Sequence, residues 1–157
     1  MKKIIALDID GTLTNSKKEI TRPTLDKIME IQKKGHVVAI ASGRPLPGIR
    51  KIADELELNR YGGYVLAFNG GRIVNYETGE IAYQACVDNE IAKKIYDYCV
   101  GNNIGMVTYK DDVVITGTPI DEYMSLEARI NRMEIVPVED FRSYIDFPIN
   151  KCLLTAE

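Results

Sequence analysis

Apolar and polar positions follow two different regimes along this chain of 157 residues. In the N-terminal half, unbroken apolar runs alternate with segments of helical period. Ile4-Ile5-Ala6-Leu7 and Val37-Val38-Ala39-Ile40-Ala41 lack the in-out alternation of a half-buried strand, and suit strands buried on both faces. Between them, Thr21-Arg22-Pro23-Thr24 opens a helix, with Thr as N-cap and Pro in the first turn. Leu25, Ile28, Met29 and Gln32 fall on one face of it, and Gly35 is placed to stop it. A second helix is expected from about Gly48 to Leu56, with Ile49, Ile52, Ala53 and Leu56 on one face and Tyr61-Gly62-Gly63 as its breaker. Tyr64 to Phe68 is a third apolar strand. Strand, helix, strand predicts a parallel pair with a right-handed crossover, hence the α/β class.

Beyond Asn69-Gly70-Gly71 the pattern changes to hairpins. Arg72 to Tyr76 and Ile81 to Ala85 flank the turn Glu77-Thr78-Gly79-Glu80; Met106 to Tyr109 and Val113 to Thr116 flank Lys110-Asp111-Asp112. Asp88 is a candidate N-cap for a helix carrying Ile91, Ala92, Ile95 and Cys99 and stopped near Gly101. A shorter helix is expected near Glu122 to Ile130, then extended pieces at Glu134 to Val136 and Lys151 to Leu154. Hairpins in place of β-α-β units imply a second, α+β module. The expected division is 1–83 and 84–157.

Length suits one domain, or one with part of another. A net charge of −3 without a basic cluster argues against a nucleic-acid partner. The apolar run ending at Leu7 is too short for a signal peptide, and no stretch is long enough to span a bilayer, so no membrane is expected. Cys86, Cys99 and Cys152 are widely spaced and form no C-x-x-C, which reads as buried or partly buried thiols in a reducing cytoplasm. His36 is the single histidine, which excludes multi-histidine metal sites and is best read as structural.

The chemistry concentrates at strand ends. Asp8 and Asp10 stand two apart where the first strand finishes, followed by Gly11-Thr12-Leu13. In an open parallel sheet, ligands bind outside the carboxyl ends of the strands. An extended backbone through Ile9 points both carboxylates the same way. Two such acids can divide labour, one as nucleophile and one exchanging protons; an ordinary Asp-Gly turn is the plainer alternative. The second strand ends in Ser42-Gly43-Arg44-Pro45, where a hydroxyl and backbone N–H groups can meet phosphate oxygens. On spacing alone, an ordinary Ser-Gly turn is the stronger reading there. Asn69-Gly70 closes the third strand and is itself a turn signal.

The stretch from the apolar run through Asp8, Asp10, Gly11, Thr12 and Leu13 resembles the first motif of the haloacid dehalogenase-like hydrolases. Ala41-Ser42-Gly43-Arg44-Pro45 is similar to the second motif in their Cof-type branch, with Ser where Thr is commoner. The resemblance implies a parallel, Rossmann-like core sheet with an inserted α+β cap that closes over the site and selects substrate. It implies Asp8 as the nucleophile that becomes an aspartyl phosphate, and Asp10 as the acid and then the base. It implies phosphate contacts from Ile9, Gly11, Thr12, Ser42 and Gly43, and Mg²⁺ held by Asp8 and Asp10. Arg44 and Asn69 become candidates on the substrate side, and Tyr109, Lys110 and Tyr123 candidates for cap contacts. The implied activity is a phosphatase acting on a small phosphorylated metabolite, with sugar phosphates the leading class. Asp10, where related ATPases carry Thr, favours hydrolysis or mutase chemistry over pumping.

The family pattern continues past residue 157 with a core Lys and an acidic Gly-Asp…Asn-Asp motif, and neither Asp111-Asp112 nor Lys151 replaces them. A partial core is therefore expected, with Ile4 to Leu7 as a bare apolar edge open to self-association. A cationic partner and a metal ligand would each be missing. One preorganised donor is already worth about 3–4 kcal/mol in a transition state, so this chain alone is expected to be a very poor catalyst. The competing expectation is a truncated, inactive chain that binds phosphate or a partner without turnover. A phosphoacceptor signalling domain fits less well, because the Asp lies on the first strand and a cap-like module follows.

Overall fold

The computed structural model describes residues 1–156. The chain divides into two compact units, Met1–Gln84 and Ala85–Glu157. The first is built on a sheet of β1 (Ile4–Asp8), β2 (Val37–Ala41), β3 (Tyr64–Ala67), β4 (Arg72–Asn75) and β5 (Ile81–Gln84), in that spatial order. β1, β2 and β3 are mutually parallel, as their crossovers predict, and β4 and β5 add on antiparallel. The hairpin after Asn69 thus extends this sheet.

Burial along the sheet follows strand position. β2, flanked on both sides, buries Val38 and Ile40 completely. β1 carries an equally apolar run, yet Ile4 is 72 % exposed, and the strand alternates between exposed and half-buried. The expectation of burial on both faces is corrected here, while the expected apolar edge is found: among the described strands β1 has a single neighbour. An apolar groove of about 450 Å³ runs beside it, lined chiefly by Ile5, Leu7, Leu13, Pro23, Ile28 and Ile31.

Helix α1 (Arg22–Lys33) packs against β2. Thr21 precedes it as expected, but its hydroxyl meets Thr24 Oγ1 instead of capping a backbone N–H. Gln32, on the inward face, is buried and donates from Nε2 to the Leu56 carbonyl at 2.8 Å. α2 (Leu46–Glu55) starts two residues before the predicted Gly48 and packs against β3. A four-residue turn of helix, α3 (Leu58–Tyr61), was not expected from the pattern. It is reached through Glu57 in the left-handed region and left through Gly62 in the same region. Tyr76, beyond β4, donates from its hydroxyl to Asp54 at 2.7 Å.

The second unit holds a sheet ordered β8 (Glu134–Pro137), β7 (Val113–Thr116), β6 (Gly105–Lys110), β9 (Leu153–Thr155). The β6–β7 hairpin is antiparallel as expected, while β7 and β8 run parallel. Helix α4 (Asn89–Gly101) is capped by Asp88, whose carboxylate accepts from the Glu90 and Ile91 backbone N–H groups. Asp121 likewise caps α5 (Glu122–Asn131). A short α6 (Phe141–Tyr144) carries no periodic signal and was missed. Ala92, Cys99, Met106, Ile115, Phe141, Ile145 and Ile149 form the core. Phe141 stacks on Tyr96 with ring centroids 4.6 Å apart. Cys99 is buried and Cys152 partly so, but Cys86 is exposed, contrary to expectation; all three thiols are free.

Replacing Phe141 by Ala empties the centre of this core and is expected to cost about 3–5 kcal/mol, read from urea denaturation. Burial and the hydrogen bond to Asp54 push the Tyr76 phenol from 10.0 up to about 12. The group is neutral when folded and ionises sooner when unfolded. Its contribution to stability is therefore complete below about pH 10 and lost as pH rises towards 12. Tyr76→Phe should remove that alkaline limb from a plot of melting temperature against pH.

Candidate active site

The three parallel strands bring their carboxyl ends level. Asp8 pairs in register with Ala41, and Ala41 with Leu66. The loops that follow β1, β2 and β3 thus leave the sheet side by side, each carrying a predicted site segment.

After β1 the backbone turns back on itself. Leu13 N–H donates to the Asp8 carbonyl at 3.0 Å, and Thr14 N–H to the Ile9 carbonyl at 2.9 Å. The turn needs Gly11 at φ +84°, where a side chain would be strained. Ile9 sends its side chain into the core, 1 % exposed, and anchors the loop between two exposed aspartates. Only its main chain is left to face the turn. Thr12 is exposed on the same turn.

The loops after β2 and β3 are laced together. Asn69 N–H donates to the Ser42 carbonyl and Phe68 N–H to the Arg44 carbonyl, each at 3.0 Å. Ser42 is largely buried, and its Oγ accepts from the Arg44 N–H at 3.3 Å. Phe68 and Asn69 both lie in the left-handed region, at φ 54° and 57°. Backbone strain of that kind costs about 1–3 kcal/mol per residue and gathers at functional sites. Gly43 is required by contact: a Cβ there would stand 2.8 Å from Asn69 Oδ1. The small residue after Ser42 therefore allows the Asn69 amide to lie against the second loop.

Arg44 joins the first loop to the second. Its Nη2 donates to both Asp10 oxygens, at 3.0 and 2.9 Å. Lys18 adds a further bond, from Nζ to Asp10 Oδ1 at 2.7 Å. The Lys18 bond, with that of Arg44, outweighs partial burial and holds the Asp10 carboxyl below the ordinary carboxylate range. Lys18 escaped the sequence reading because nothing in the polar loop marks it. Among the described residues, no group of three or more His, Cys, Asp or Glu is arranged to hold a metal ion.

Residues 5–157 match the family described as haloacid dehalogenase-like hydrolase. The chain belongs to that family. The structure superposes with a TM-score of 0.90 on the crystal structure of a haloacid dehalogenase-like hydrolase from Bacteroides thetaiotaomicron, at 39 % identity, covering 100 % of this chain and 59 % of that one. In sequence it is 31 % identical over 130 residues to the Bacillus subtilis 5-amino-6-(5-phospho-D-ribitylamino)uracil phosphatase YwtE, covering 82 % of this chain and 42 % of that protein. It is 37 % identical over 71 residues to a second phosphatase of that description, YcsE of the same organism, covering 45 % of this chain and 27 % of that protein. The chain thus spans less than half the length of these curated relatives.

The cap candidates belong to the second unit. Tyr109 is buried there and donates to Glu127 Oε1 at 2.6 Å, so its hydroxyl is engaged within the fold. Lys110 lies over the Tyr144 and Phe147 rings, about 5 Å from each centroid. Tyr123 is exposed on α5. No helix among the described residues is long and apolar enough to cross a membrane.

Adding a methyl at Gly43 should force Asn69 off the second loop. Gly43→Ala is expected to cost about 1–3 kcal/mol. Asn69→Gly, which suits the left-handed backbone, should recover most of that loss in the double variant. A double-mutant cycle in urea reads the coupling.

Proposed function

We propose that the strand-end cluster is the phosphoryl-accepting site of a phosphatase for small phosphorylated metabolites. The observation that carries this reading is the level register of Asp8, Ser42 and the Asn69 turn on three adjacent parallel strands. An Asp8 carboxylate oxygen attacks phosphorus, the bond from phosphorus to the leaving oxygen breaks, and an aspartyl phosphate forms. Asp10 gives a proton to the leaving alcohol. It then takes one from a water that attacks phosphorus, which releases inorganic phosphate and regenerates Asp8. Ser42 Oγ and the backbone N–H groups of the Gly11-Thr12 turn and of Gly43 receive the phosphoryl oxygens. As arranged, Asp10 is ionised between Lys18 and Arg44, so it can donate a proton only once those cations have turned to another anion.

Mg²⁺ suits the donors present in kind. It takes hard oxygen ligands and is commonly held by one or two carboxylates with waters and substrate phosphate. The Asp8 carboxylate and the Asp10 main-chain carbonyl would hold it. When bound, it supplies charge neutralisation to the transferring phosphoryl group. For substrate, the relatives' names specify a phosphate on a ribityl chain. This supports polyol and sugar phosphates as the class. Among the described strands β1 has a neighbour on one side only, and that edge with its apolar groove supports pairing with a second copy.

A second reading, phosphate binding without turnover, draws on the lack of a three-member acidic cluster among the described residues. An aryl phosphate assay, with and without Mg²⁺, separates the two. The first reading expects slow, Mg²⁺-stimulated hydrolysis that falls at least about a thousandfold in Asp8→Asn. Hydrolysis indifferent to Asp8→Asn overturns the mechanism. No hydrolysis with phosphate still bound selects the second.

A further inference from the structure

We propose that Lys18, together with Arg44, is an anion clamp that passes from the Asp10 carboxylate to the non-bridging oxygens of an incoming phosphate monoester. The inference rests on the phosphatase reading for its ligand, and adds a recognition residue outside every motif considered so far.

Three observations carry it. First, two cations converge on one carboxylate: Lys18 Nζ lies 2.7 Å from Asp10 Oδ1, and Arg44 Nη2 lies 3.0 and 2.9 Å from Oδ1 and Oδ2. Two positive charges face one negative charge. A phosphate monoester dianion offers two negative charges and three non-bridging oxygens, a fuller match for an ammonium and a guanidinium than a single carboxylate. The Asp10 carboxylate thus stands where an oxyanion would.

Second, the loop is built to deliver Lys18 to this place. Asn15 Oδ1 accepts from Lys17 N–H at 2.8 Å and Glu19 N–H at 3.1 Å. Asn15 N–H donates to the Glu19 carbonyl, and Lys18 N–H to the Asn15 carbonyl. Lys18 itself takes φ +61°, a conformation that lysine seldom adopts. An exposed ion pair contributes little to stability on its own, so folding alone gives weak reason for such a loop.

Third, the two cations differ in freedom as a hand-over requires. The Lys18 side chain is 65 % exposed and that of Arg44 is 23 % exposed. Arg44 is held by the second loop, where its N–H meets Ser42 Oγ and its carbonyl receives Phe68 N–H. Arg44 is therefore the arm rooted by its main chain beside Ser42, and Lys18 the more exposed and freer arm; both guanidinium and ammonium exchange Asp10 for the incoming oxyanion.

Inorganic phosphate is the probe, titrated calorimetrically into the full chain in an Asp8→Asn background, so that no covalent chemistry contributes. Lys18→Gln is expected to weaken phosphate about tenfold, the loss of one charge-assisted hydrogen bond, with its melting temperature little changed. Lys18→Arg should stay within about threefold of the parent. Asp10→Asn removes the competing carboxylate and should tighten phosphate, a gain that Lys18→Gln abolishes in the combined variant. Phosphate binding unchanged by Lys18→Gln, tightening in Asp10→Asn that survives Lys18→Gln, weakening in Asp10→Asn, or no phosphate binding by the parent would each overturn the clamp. Failure of the nucleophile assignment is read separately. In that case aryl phosphate hydrolysis ignores Asp8→Asn while these titrations keep their order.

Discussion

Register between parallel strands is the constraint on which this molecule depends. Backbone hydrogen bonds fix Asp8 beside Ala41 and Ala41 beside Leu66, and the hydrophobic burial of β2 holds that ladder in place. A slip of one residue would turn every side chain of a strand to the opposite face. It would also carry Ser42 or Asp8 out of line with its neighbours. The site is thus a by-product of a buried central strand: Val38 and Ile40 contribute nothing chemical, yet they set the level at which the loops begin.

On that level base, polar contacts finish the arrangement. The second and third loops are joined by main-chain bonds from Phe68 and Asn69, made possible by strained backbone and by the missing side chain of Gly43. The first loop is joined to the second by the ion pair of Asp10 with Arg44, and Lys18 of the first loop meets the same carboxylate. Two kinds of joint with different stiffness result. Main-chain bonds within a packed loop move little, whereas an exposed ion pair exchanges partners readily. The rigid joint positions Ser42 and Asn69, and the soft one is where a charged ligand can intervene.

Much of this was legible in the residues. The helical period of α1, the apolar runs of β2 and β3, and the Asp88 cap each express a local rule that the fold obeys. The paired aspartates and the Ser-Gly turn were visible because their chemistry is compressed into a few consecutive positions. What stayed hidden depends on distance along the chain. Ile4 to Leu7 reads like Val37 to Ala41 as a local pattern, and its place at an edge followed from the family resemblance alone. Arg44 lies 34 positions from Asp10, and only the register of β1 with β2 brings them together. Lys18 reaches Asp10 through a left-handed backbone that no periodicity reports. The short helices α3 and α6 are too brief to show a period, and Tyr109 was placed in the right strand without a sign that its hydroxyl faced inward to Glu127.

One consequence of the strand order concerns time and not geometry. β1 is bonded to β2 alone among the described strands, so it can peel away by breaking one row of amide bonds, whereas freeing β2 means breaking two. Such one-sided strands open more often than the interior of a sheet. Among the described strands, Asp8 thus ends the strand with one neighbour, while Ser42 follows the strand with two. Any molecule that lies along β1 would slow that breathing and steady Asp8 without touching it.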